Sequence, residues 1–159
     1  MSDTSIVVEP GTHEIVITHT FDAPRELVFR AYTDPRLIVK WWGPRYLTTI
    51  LDGFEPQSGG RWRMIHRDAE GNEYAFHGVF HDVSAPERIV QTFEFEGMPG
   101  HVSLETATFE DVGGRTLVTG RSVFQSVVDR DGMVASGMEV GVNDSNERLA
   151  ELLAELKQS

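Results

Sequence analysis

Arg88-Ile-Val-Gln-Thr-Phe-Glu-Phe-Glu-Gly-Met-Pro-Gly-His-Val-Ser-Leu-Glu-Thr-Ala-Thr-Phe-Glu110 reads as two strands, Arg88–Glu96 and His101–Glu110, joined by Gly97-Met-Pro-Gly100. Along the first, Ile89, Gln91, Phe93 and Phe95 share one face, and Val90, Thr92, Glu94 and Glu96 share the other, because successive side chains of a strand point to opposite sides. So short a connection joins antiparallel neighbours; a parallel pair needs a crossover of about a dozen residues or more.

The same grammar extends in both directions. Tyr46–Asp52, Arg61–Arg67, Glu73–Val83 and Thr116–Phe124 are predicted strands, separated by Gly, Pro, Asn and Asp clusters such as Gln57-Ser-Gly-Gly60 and Asp111-Val-Gly-Gly114. His13–Phe21 is a further strand. Pro24 opens a helix after it, Asp34-Pro35 ends that helix and starts a second, and Gly43-Pro44 ends the second beyond Trp41-Trp42. After Asp129 the period changes, and Val134, Met138, Val142, Leu149, Leu152, Leu153 and Leu156 form the apolar stripe of one long helix. The order β–α–α–β×6–α predicts an α+β fold: a curved antiparallel sheet of about seven strands, one face covered by the last helix, with a cavity between them. Residues 1–12 are read as an N-terminal extension, and 13–159 as a single domain.

Composition narrows the function. The 159 residues carry 25 Asp and Glu against 14 Lys and Arg, a net charge of −11, which repels nucleic-acid backbones and anionic membrane surfaces. Without cysteine there is no disulfide, thiolate nucleophile or Cys-ligated zinc. No apolar run approaches the roughly 18 residues that span a bilayer, and the N-terminus lacks a signal-peptide pattern, so a cytoplasmic location is expected. The charge is uneven: residues 25–67 hold eight bases and four acids, residues 68–159 six bases and seventeen acids.

Phe21-Asp-Ala-Pro24, Thr33-Asp-Pro35, Trp41-Trp-Gly-Pro44, Gly59-Gly60, Gly78, Ala85-Pro-Glu-Arg-Ile89 and Ser136-Gly-Met-Glu139 resemble, in order and spacing, the Aha-type branch of the SRPBCC superfamily, homologues of the activator of the heat-shock chaperone ATPase. The resemblance covers roughly residues 13–157 and is most specific at Trp41–Pro44. It implies the helix-grip fold of START domains and birch-pollen allergens, and two functions: binding of a small hydrophobic or amphipathic ligand, or a cochaperone-like protein interaction. A polyketide cyclase or hydratase is a third expectation. The family often has Gly-Trp where this chain has Gly141-Val142, which leaves either a smaller core or a larger cavity.

Strand parity maps a candidate ligand wall. Trp62, Met64 and His66 share a face opposite Arg61, Arg63 and Arg67, a strip read as a solvated face or a dock for an acidic partner. The family pattern turns Glu105, Ala107 and Phe109 inward, and Leu117, Thr119, Arg121 and Val123 are taken as a further inward set. Glu105 and Arg121 then meet in the cavity near Gln91, Phe93 and His66, either as a mutually satisfied ion pair or as a site where Arg121 holds a ligand carboxylate or polyketide oxygen. For catalysis, Glu105 or His66 is the candidate general base. Trp41 and Trp42 belong either to the core or to the cavity entrance, and Met138 and Val142 line the helix side. For Glu73–Val83 the inward set is either Phe76 and Phe80 or His77 and His81. His77 and His81 lie about 13 Å apart on a strand, too far for one metal. No metal or cofactor is therefore expected. Gly137 and Gly141 signal either close helix–sheet packing or space kept for a ligand. A small ligand, or an acidic protein or chaperone, is the expected partner, with monomer and homodimer both open.

Overall fold

A computed structural model describes residues 4–158. Among them lie strands β1 (Ser5–Val7), β2 (Glu14–Phe21), β3 (Thr48–Phe54), β4 (Arg61–Arg67), β5 (Glu73–Ser84), β6 (Arg88–Phe95), β7 (Val102–Val112) and β8 (Arg115–Val123), with helices α1 (Arg25–Thr33), α2 (Pro35–Ile38), α3 (Val127–Ala135) and α4 (Met138–Gln158). The strands form one antiparallel sheet in the order β1-β2-β8-β7-β6-β5-β4-β3. The α+β helix-grip expectation holds, with eight strands rather than seven. The added strand comes from the N-terminal extension: Ser5–Val7 pairs with β2 through Ile6 opposite Ile17. Residues 1–3 and 159 lie outside the described residues.

Local chemistry explains the boundaries. Asp34 accepts the Arg36 backbone N–H at 2.9 Å while its own N–H closes α1 on Arg30 O, so one residue ends α1 and caps α2. Ser126 caps α3 by accepting the Asp129 N–H. The single last helix expected from the apolar stripe is two helices, broken at Ser136-Gly137, and Val134 on the far side of the break is 39% exposed. Arg130 of α3 is buried and donates to the backbone carbonyls of Glu9 and Glu14 at 2.8 and 3.1 Å, which pins the connection between β1 and β2.

The concave face follows the alternation in β4 and β6, and the open choice in β5 resolves to Phe76 and Phe80, which stand opposite Met64 and Gln91. In β8 the expected parity is reversed. Thr116 and Val118 are buried while Arg121 is exposed, so Thr116, Val118, Gly120 and Ser122 face inward. The reason is the two-residue Gly113-Gly114 turn, both glycines at positive φ, which aligns Phe109 with Val118 and Glu105 with Ser122.

Two halves of the space between sheet and helix differ in packing. One holds Phe21, Val28, Phe29, Phe109, Val118, Leu149, Leu152 and Leu153, all fully or almost fully buried. In the other, toward the N-terminal half of α4, the facing residues are only partly buried.

Candidate functional site

The partly buried half is built on rows of residues that register places side by side. Gln91, Glu105, Ser122 and Ile15 form one row across β6, β7, β8 and β2; Ala107, Gly120, Ile17 and Ile6 form the next. Gln91, Glu105, Ala107, Ile17, Gly120 and Ser122 are each only partly buried on the concave side of the sheet. A Cβ placed on Gly120 would touch nothing nearer than the Ile17 carbonyl at 3.8 Å, so no side chain lies within 4 Å of that position. The second row ends at a cleft of about 390 Å³, lined by Thr4, Ile6 and Val8 from the strand side and by Val134, Met138, Glu139 and Asn143 from α3 and α4. Asn146 donates to the Thr4 hydroxyl at 3.1 Å, and that hydroxyl lies 2.7 Å from His19 Nδ1, which ties the last helix to the edge of the sheet beside this opening.

Glu105 is the polar centre of the wall. Its carboxylate accepts the Ser103 hydroxyl at 2.9 Å on one oxygen and the Ser122 hydroxyl at 2.8 Å on the other. Burial raises its pKa, and the two hydroxyls lower it less strongly. The expected Glu105–Arg121 pair does not form. Arg121 stands opposite Thr106 on the convex face and donates to Glu14 at 3.0 Å, half exposed. Ser103, Ser122 and Gly120 complete the polar patch without having been singled out by sequence; the turn at Gly113-Gly114 is the signal that would have found the latter two.

The other candidates divide between wall and core. Phe93 packs against Phe76 at 5.3 Å and Trp62 at 5.9 Å, and Met138 and Val142 of α4 are partly buried. Trp62, Met64 and Phe109 are core residues. Trp41 is also core, 3% exposed, its indole donating to Ala31 O at 3.0 Å. Trp42 packs against the core among the rings of His66, Phe76 and Phe93, with centroids 4.6 to 6.4 Å away.

The Trp41–Pro44 segment proves to be a clasp on α4. The Gly43 N–H donates to Ser145 Oγ at 2.8 Å, Arg148 donates to Gly43 O at 3.0 Å, and the Arg45 N–H donates to Asp144 at 3.0 Å. Gly43 has φ +103°, and a Cβ there would come within 2.6 Å of His66 Nε2, so glycine is required on both counts. At Gly141 an added Cβ would meet Pro44 at 3.6 Å, an ordinary van der Waals contact, so close packing does not require glycine there. Gly137, at φ +85°, sits at the helix break.

His66 is 5% exposed, and its Nε2 has no hydrogen-bond partner. Burial first, then the Arg148 charge, lowers its pKa from 6.5 to about 4. The nitrogen faces Gly43 rather than open space, which separates it from any general-base role in the cavity. Between pH 6.5 and about 4 the unfolded chain takes up a proton that the folded chain refuses. Stability contributed by neutral His66 is thus full above pH 6.5 and falls on acidification, by on the order of 2 kcal/mol. Glu105, with its raised pKa, acts in the opposite sense, lowering stability as pH rises above the ordinary carboxylate range. Both chains share that effect in a comparison with His66→Leu. Urea midpoints at pH 7 and pH 4.5 should differ less in His66→Leu than in the parent; an unchanged difference would reject the assignment.

A larger furrow of about 680 Å³ runs over the convex face, floored by Gly53, Gly78 and Val79 and flanked by Arg63 and His77. Most of its charges are paired, the Arg61 side chain on its rim having no ion-pair partner among the described residues. Arg63 donates to Asp52 at 2.6 Å and to both oxygens of Glu96, and His77 lies 2.9 Å from Glu96 and 3.4 Å from Glu94. These partners lower the Glu96 pKa to about 2. Arg67 is paired with Glu73. The strip expected to meet an acidic partner is therefore largely neutralised within the chain.

Among the described residues, no cluster of three or more His, Cys, Asp or Glu side chains could hold a metal, and no helix is long and apolar enough to cross a membrane.

Comparison with known proteins places this geometry in context. The family model described as Activator of Hsp90 ATPase homolog 1-like protein matches residues 22–154. Among solved structures, a protein of Arthrobacter aurescens is 25% identical, with a TM-score of 0.89 over 97% of this chain and 93% of its own. A Rhodobacter sphaeroides protein is 24% identical, with a TM-score of 0.89 over 97% and 99%. A Staphylococcus epidermidis protein is 27% identical, with a TM-score of 0.80 over 94% of each chain. No curated protein sequence matches the chain.

Proposed function

Because the chain belongs to the family of Activator of Hsp90 ATPase homolog 1-like proteins, we propose that it uses the helix–sheet space of that fold to bind a small, largely apolar or amphipathic ligand. The observation that carries this reading is the uncovered concave face at Gly120, where no side chain approaches within van der Waals contact. Cores are filled to crystal-like density, so open space beside a well-packed half is a feature to explain. The adjoining cleft of about 390 Å³ is within the usual range of small-molecule sites. Apolar surface from Ile17, Ala107, Phe93 and Met138 supplies burial, and Gln91 and Glu105 supply orientation.

A cochaperone-like interaction through the convex arginine strip is the second reading implied by the family. The ion pairs of Arg63 and Arg67 weaken it, because little unpaired positive charge is left to steer an acidic partner.

Filling the space should abolish binding without harming the fold. In ligand-detected NMR against a panel of lipids and polyphenols, Gly120→Leu is expected to weaken the best binder by at least about tenfold, with the thermal midpoint unchanged or raised. Failure of the whole panel to bind, or undiminished binding by a folded Gly120→Leu, would overturn the reading.

A further inference from the structure

We propose that the cavity selects its ligand by head group, taking a primary amine on an apolar body and rejecting a carboxylate, with Glu105 as the selecting residue. This rests on the ligand-binding reading above and adds the chemical class of the ligand.

Four observations converge. First, Glu105 sits on the concave face in a row with Gln91 and Ser122, beside the position where Gly120 leaves the sheet uncovered. Second, each carboxylate oxygen accepts one serine hydroxyl, which leaves lone-pair capacity on both for a ligand donor. Third, among the described residues no cationic side chain pairs with Glu105; the arginine on the neighbouring strand, Arg121, faces away and is held by Glu14. Fourth, the Gln91 side chain makes no hydrogen bond among the described residues, and its amide oxygen can accept from the same head group.

The electrostatic consequence is one-sided. A carboxylate with only hydroxyl donors, with Ala107 next on its own face of β7 and Phe93 diagonal to it on β6, is poorly compensated in a medium of low dielectric. The burial that raises its pKa is the same penalty seen from the proton's side. An ammonium group relieves that penalty through a charge-assisted hydrogen bond. A ligand carboxylate places a second negative charge beside it and meets no cation.

The test compares decylamine, decanol and decanoate below their micelle concentrations by isothermal titration at neutral pH. In the parent chain the amine should bind at least about tenfold more tightly than the carboxylate, with the alcohol between. In Glu105→Gln this preference should shrink by about the same factor, whereas Glu110→Gln, which removes an equal charge from the exposed face of the same strand, should keep it. Decanoate binding as tightly as decylamine, or a preference that survives Glu105→Gln, would overturn the selectivity and leave the cavity reading standing. Binding of none of the three would remove the cavity reading and this one with it.

Discussion

Phe109→Ala should cost about 3–5 kcal/mol of folding free energy, the range for truncating a fully buried aromatic. Phe109 is 2% exposed and stands edge-on to Phe29 at 5.1 Å and to Tyr32 at 5.0 Å. These contacts bring α1 onto the centre of the sheet. The Phe109 N–H also donates to Glu87 O at 2.9 Å, so β7 cannot slide to refill the void. Domains of this kind are stable by only about 5–15 kcal/mol. The loss should appear as a large fall in urea midpoint with little change in slope. A loss below about 1 kcal/mol would mean that the packed half does not carry the fold.

The second large effect comes from adding an atom. A Cβ on Gly78 would lie 1.9 Å from the Thr92 carbonyl oxygen and 2.6 Å from Trp62 Nε1. Neither neighbour can give way easily. Thr92 belongs to the interior strand β6, and Trp62 is 2% exposed and packed against Phe93. Gly78→Ala must therefore part β5 from β6, at a cost of about 3 kcal/mol, the upper end of the usual overpacking penalty. Gly120→Ala is the internal control, since its Cβ meets only the Ile17 carbonyl, at an ordinary 3.8 Å. Equal thermal midpoints for the two alanine variants would refute the packing argument.

Much of the architecture was legible because the sheet is made of hairpins. Alternation in Arg61–Arg67 and Arg88–Phe95 placed Trp62, Met64, Gln91 and Phe93 on the concave face. Asp34-Pro35 and Gly43-Pro44 bounded the short helices. β1 escaped because three residues are too few to show a period, and its place depends on pairing with β2. In β8, parity alone does not say which set faces inward; Leu117, Thr119, Arg121 and Val123, the expected inward set, face outward because tertiary register decides it. The two-residue Gly113-Gly114 turn was visible throughout. Once Phe109 is inside, that turn puts Val118 inside too, and Arg121 follows outward. The expected Glu105–Arg121 pair failed by that single step, and the polarity of the candidate site changed with it. The split of the last helix was hidden because the apolar stripe continues across Ser136-Gly137, and hydrophobic spacing does not register a break in backbone direction.

The division of the helix–sheet space into a packed half and a partly buried half also bears on how such a chain can change over generations. Residues that hold the fold, such as Phe21, Phe109, Leu152 and Leu153, lie in one set. Partly buried residues of the concave face, such as Gln91, Gly120 and Ser122, lie outside it. Replacements in the second set leave the stability threshold almost untouched, so that face can change by single steps through sequences that still fold. A scaffold arranged this way can vary the chemistry of one face while remaining the same shape.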